Sequence, residues 1–136
     1  MAAAETKTLI QRYYDAFNTG DWDAMAALVG EDVAHDINQN GREIGRDMFR
    51  NFLGRMALHY DEQLADIEVF VSESGNRAAA EMTVRGTYKI TADGLPEAKG
   101  QTYALPVGQF FDIEDGLVTR VSTHYNLKDW VAQVAK

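Results

Sequence analysis

"RYYDAFNTGDWDAMAALVGEDV", Arg12 to Val33, is the stretch whose reading decides the fold. It runs out of one helix, stops, starts a second and enters a strand. Leu9, Ile10, Tyr13 and Phe17 recur at helical spacing, so the first helix presents one apolar face. Asn18-Thr19-Gly20 ends it, with Gly20 suited to a left-handed cap. Asp21 fits the N-cap of a second helix carrying Trp22, Met25 and Leu28, and Gly30 closes it. Val33 to Asn38 follows as a short strand, then an Asn38-Gln39-Asn40-Gly41 turn. Gly45 precedes a third helix whose apolar face is Phe49, Phe52, Leu53 and Met56.

Downstream the period changes to two. Ile67, Val69 and Val71 alternate with Asp66, Glu68 and Phe70, and Ser74-Gly75-Asn76 reads as a hairpin turn. Ala78 to Thr91 is a long strand with Met82, Val84 and Tyr88 in one phase. Gln101 to Ile113 is another, and Pro106 inside it predicts an edge, a bulge or a bend. Glu114-Asp115-Gly116 turns the chain into Leu117 to Tyr125. Asn126 caps a short last helix bearing Trp130, Val131 and Val134. Helices first and hairpin-linked strands after predict one α+β domain over residues 1–136, with a mostly antiparallel sheet wrapped against the helices.

With 136 residues, 46% of them hydrophobic, the chain can bury a sizeable core. Thirteen basic against 21 acidic residues give a formal charge of −8, which disfavours nucleic acid or an anionic membrane as partner. There is no cysteine, so thiolate catalysis and thiolate metal sites are excluded. No histidine pair has metal-ligand spacing, and nothing in the pattern calls for a cofactor. "MAAAETK" lacks a signal-peptide core, and no apolar run is long enough to span a bilayer. The expectation is a cytoplasmic protein.

The opening stretch resembles the start of ketosteroid isomerases and of the wider NTF2-like and SnoaL-like superfamily that shares the fold of nuclear transport factor 2. "LPVGQFFDIEDGLVTRVSTHYN", Leu105 to Asn126, is similar to its last two strands. "HDINQNGREIG" resembles a ketosteroid-isomerase-related branch. The resemblance implies an NTF2-like cone: a curved sheet around the N-terminal helices, with a pocket open at one end for a small hydrophobic ligand, and a homodimer formed through the outer sheet face. Residue by residue, the isomerase's oxyanion tyrosine falls on Tyr13. Its base aspartate falls on Ile37, its protonated aspartate on Gly108, and its supporting tyrosine on Leu53. The isomerase constellation is thus incomplete, and an efficient ketosteroid isomerase is not expected.

Strand alternation sorts the candidates. His35 shares the phase of Ile37 and is expected to face the pocket, where an imidazole can act as base or acid near neutral pH; a buried structural histidine fits the same pattern. Asp36 lies in the opposite phase and reaches the pocket only if a bulge re-aims it. Tyr13 is the candidate donor to a substrate oxygen. Tyr13, His35 and Asp36 are therefore the catalytic candidates. The expected lining is Phe17, Ile37, Asn38, Phe52, Met56, Met82, Val84, Phe110, Thr123 and Tyr125, with Gly108 leaving room. Val107, Gln109, Phe111, Val118, Arg120, Ser122 and His124 are expected on the outer face. Three classes fit: an acid–base enzyme acting on a carbonyl compound, such as an isomerase, a non-catalytic ligand-binding protein, or a dimerisation module.

Overall fold

The structure, a computed structural model, describes residues 2–136. Helices α1 (Ala3–Thr19) and α2 (Trp22–Ala26) lead into strands β1 (Val29–Ile37) and β2 (Gly41–Ile44). Helix α3 (Arg46–His59) runs directly into β3 (Tyr60–Val71), followed by β4 (Arg77–Tyr88), β5 (Thr102–Glu114), β6 (Leu117–His124) and α4 (Leu127–Val134). One six-stranded sheet has the order β2-β1-β6-β5-β4-β3. Every pairing is antiparallel except β1 with β6. The curved, open sheet closes against the helices as a cone.

The helix boundaries follow local chemistry. Gly20 takes φ +71°, and its N–H caps the carbonyl ends of α1. The Asp21 carboxylate accepts the Ala24 N–H at 3.0 Å, and the Asn126 side chain accepts from Asp129. The expected second helix is shorter than its apolar pattern. It stops at Ala26, and Gly30 lies inside β1 rather than closing the helix. β2 pairs with β1 across the Asn38–Gly41 turn, an element too short and polar for alternation to reveal.

Two side-chain amides substitute for missing strands. Asn18, at the end of α1, donates to the Leu64 carbonyl at 3.0 Å and accepts the Leu64 N–H at 2.8 Å. Gln133 of α4 does the same for Ala104, at 2.9 and 3.0 Å. Ala104 and Pro106 sit where β5 runs past β6, with a strand partner only on the β4 side. The proline is tolerated there for that reason. The two clasps fix α1 and α4 against the sheet and so set the walls of the cone.

Two apolar clusters fill the interior. One joins α1 and α3 to the sheet through Ile10, Tyr13, Tyr14, Phe49, Leu53, Met82 and Phe111. The other joins α4 to the sheet through Val84, Tyr88, Tyr103, Leu105, Trp130 and Val134. Leu64 and Val107 pack against both.

The strand phases correct the expected faces of β5 and β6 and extend the inner face of β3. In β5 the odd-numbered residues from Tyr103 to Ile113 point inward, so Val107, Gln109 and Phe111 face the interior. Gly108 and Phe110 face out, and Phe110 is 48% exposed. In β6 an extra residue, Thr119, slips the register between Asp112–Arg120 and Ile113–Val118. This bulge turns both Val118 and Val121 inward, each fully buried. In β3 the register slips between Ala65 and Glu68, with Asp66 at φ +54°. Tyr60, Glu62 and Leu64 therefore share the inner face with Ile67, Val69 and Val71.

Candidate active site: a cavity with two polar poles

A cavity of about 430 Å³ is lined by members of both apolar clusters. Among the expected lining residues, Tyr13, Phe17, His35, Ile37, Asn38, Phe52, Met56, Met82, Val84, Thr123 and Tyr125 all border it. Asp36, Gly108 and Phe110 do not.

β1 delivers His35 to the cavity because the strand is regular from Val33 to Ile37. Its ring is 5% exposed and meets Phe52 and Phe49 edge-on, at centroid distances of 4.7 and 5.3 Å. Nδ1 is buried with no hydrogen-bond partner. Burial among these rings pushes the pKa down to about 4, against a weaker upward pull from the Asp36 carboxylate. The imidazole is thus neutral at neutral pH. Tyr13 packs edge-on against Tyr14 and Phe111. Burial holds its phenol well above the usual range, so it stays protonated. Its neighbour Tyr14 is committed elsewhere: it donates to Gln109 Oε1 at 2.7 Å, and Gln109 donates to Thr123 Oγ1 at 2.8 Å. Asn38 accepts the Tyr125 N–H at 3.3 Å and leaves its own buried Nδ2 without a partner.

Asp36 points the other way. The same regularity that turns His35 inward turns Asp36 outward, where Arg42 grips both carboxylate oxygens at 2.6 and 3.0 Å. Its pKa is lowered, first by that hydrogen bond. Asp36 and Arg120 approach to 3.8 Å, Arg120 and Asp112 to 3.0 Å, and Asp112 and Arg77 to 2.8 Å. An alternating row of charges therefore crosses five strands on the outer face, and Asp36 is part of it rather than of the cavity.

The second pole was not among the sequence candidates. Glu62 borders the cavity and accepts a 2.6 Å hydrogen bond from the Tyr103 hydroxyl. The bond crosses β4, which lies between β3 and β5. It can do so because Gly86, opposite both Glu62 and Tyr103 in register, has no side chain. A Cβ there would overlap the Tyr103 ring. Burial raises the Glu62 pKa, and the Tyr103 bond opposes the rise. Tyr60 borders the same region, its phenol pushed up to about 12, chiefly by burial. The readable signal was a glutamate in phase with Tyr60 and Leu64. It was hidden because the strand reading began at Asp66, beyond the bulge.

Comparison with known proteins fits this geometry. The SnoaL-like domain model matches residues 10–121. A solved structure from Xanthomonas campestris pv. campestris, described as a "putative polyketide cyclase", is 56% identical over 96% of this chain and 97% of its own, with a TM-score of 0.94. Structures described in the same words from Pseudomonas putida and Silicibacter sp. are 52% and 50% identical. The first covers 99% of both chains with a TM-score of 0.93, the second 96% of both with 0.94. No curated protein matches the chain. An apolar cavity closed by a curved sheet, and a domain match over most of the length, place this chain in the SnoaL-like domain family, with the NTF2-like cone fold.

Proposed function

We propose that the cavity binds a hydrophobic carbonyl compound and catalyses proton transfer next to the carbonyl, as an isomerase or cyclase does. One observation carries this reading. Tyr13 and His35 border the same apolar cavity, and the buried Nδ1 of His35 has no hydrogen-bond partner among the described residues. Buried polar groups are ordinarily satisfied, so a ligand oxygen is the natural partner. The Tyr13 hydroxyl donates to the carbonyl oxygen. The neutral His35 ring, with a pKa of about 4, is poorly matched to act as a base at neutral pH and supplies a second hydrogen bond. As charge moves onto the oxygen, donors in an apolar site gain strength. The neighbours described as polyketide cyclases support a polyketide-like ligand with several carbonyls.

The test uses 2-tetralone, a small apolar ketone. Exchange of its α-protons in D2O, followed by NMR, is expected to accelerate with the protein. Tyr13→Phe should lower that acceleration roughly 100-fold, the usual effect of losing one oxyanion donor. Exchange at the buffer rate, with no shift of cavity resonances on adding the ketone, would overturn the reading. Dimerisation remains our proposal for the outer face, where Phe70 and Phe110 are exposed; light scattering that returns a monomer mass would reject it.

A further inference from the structure

We infer that Glu62 is the general base of this cavity and that Tyr103 is its positioning residue. The inference deepens the reading above, because it assigns the proton acceptor that the carbonyl-binding pole lacks. Neither position carried over from the isomerase supplies it: Ile37 has no basic group, and Gly108 faces out of the cone. Asp36 is bound to Arg42 on the outer face.

Glu62 meets the structural needs of a base. Glu62 is among the residues that border the cavity. Oε2 is held by Tyr103, whose ring packs edge-on against Trp130 at 5.8 Å. Among the described residues no hydrogen-bond donor holds Oε1, so one oxygen is fixed and the other is free to meet a ligand. Among the described residues no arginine or lysine forms an ion pair with the carboxylate. The titratable groups around it are Tyr60 and Asp61 on its own strand, Tyr103 on β5 and Tyr125 just beyond β6. Lys89, just past β4, borders the same cavity, and its amine is held by the Ala57 carbonyl at 2.8 Å. β4 itself presents only Gly86 opposite Glu62. A carboxylate in such surroundings is a stronger base than in water, because its ionised form is less stabilised.

The step balances without a cofactor. A Glu62 oxygen takes the proton from the carbon next to the carbonyl. The C–H electron pair becomes the carbon–carbon double bond of an enolate, and the carbonyl π pair moves onto the oxygen facing the Tyr13 donor. The proton on Glu62 then returns to the same or a conjugated carbon. The substrate class is a carbon acid activated by at least one carbonyl group.

The experiment uses two probes with the whole protein. 2-Tetralone exchange requires both poles. 5-Nitrobenzisoxazole has no carbonyl; a base removes its ring C–H proton, the N–O bond breaks, and a coloured cyanophenolate forms. Glu62→Gln keeps an acceptor for Tyr103 and should lower both rates on the order of 100-fold or more. Each rate should rise with pH along a limb above the ordinary glutamate pKa of about 4.3. Tyr103→Phe removes a bond that favours the ionised carboxylate, so it should move the limb to higher pH; a merely structural tyrosine would lower the rate without moving it. Benzisoxazole cleavage that is Glu62-dependent, with no tetralone exchange, upholds the base and rejects the carbonyl reading. Wild-type rates in Glu62→Gln, or benzisoxazole cleavage no faster than with equimolar acetate, overturn the assignment of Glu62.

Discussion

His35 and Asp36 are adjacent in the chain and belong to different worlds. His35 faces the interior, surrounded by aromatic rings, and burial holds it neutral. Asp36 faces outward, held charged by arginine. The same contrast separates two glycines. Gly86 faces inward, where a Cβ would overlap Tyr103. Gly108 faces outward, where the nearest heavy atom to a Cβ is the Ala80 carbonyl oxygen, 4.0 Å away. Identity decides little here. Which face of the sheet a residue occupies decides whether it is a chemical group, a spacer or surface.

The contrast predicts a descending series of effects. The largest is the acid response of His35. Its folded pKa of about 4 lies below the 6.5 of the free side chain, so the unfolded chain binds more protons between these values. Stability is then fully present above about pH 6.5 and falls as pH drops toward 4, by on the order of 3 kcal/mol. Urea titrations at pH 7, 5.5 and 4.5 should show this slope, and His35→Gln should flatten it. An unchanged slope in the variant would place the titration elsewhere. Next is Gly86→Ala, expected to destabilise by about 1–3 kcal/mol through overpacking and to displace the Tyr103 hydroxyl from Glu62. On the outer face the same change, Gly108→Ala, should be neutral or stabilise by up to about 1 kcal/mol, since it restricts the unfolded chain. The smallest effect belongs to Asp36→Asn. Exposed ion pairs contribute little, so its melting temperature should stay within about two degrees of the parent, and its effect on ketone exchange should be negligible. A large loss of exchange would mean that Asp36 reaches the cavity after all.

Much of this division is legible in the sequence. The end of α1 and the start of α2 could be read from Gly20 and Asp21, because caps depend on chemistry within four residues. The faces of β1 were legible because an alternating strand with one polar phase carries its own orientation. β5 lacked that asymmetry. Val107 and Phe111 in one phase compete with Phe110 in the other, so the inner face was assigned by analogy at Gly108 and came out one residue off. Thr119 and Asp66 each bring a slip in register that alternation does not reveal. The first reversed Val118, and the slip at Asp66 broke the phase that joins Glu62 to Val69. The Glu62–Tyr103 pair is harder still, since its members stand 41 residues apart and meet only because Gly86 lets a side chain cross the intervening strand.

The amide clasp of Gln133 on Ala104 bears on how the protein ages in solution. Where β5 runs past β6, its backbone would be a template for another chain's strand, and α4 covers it there through Gln133. Trp130 and Leu127 of that helix also line the cavity. Detachment of α4 would open the sheet edge and the ligand site in a single excursion, well short of global unfolding. A ligand seated against Trp130 makes that excursion rarer by mass action. Occupancy of the cavity and shelf life against fibrillar association are thereby coupled, and nucleation lag times should lengthen with ligand concentration.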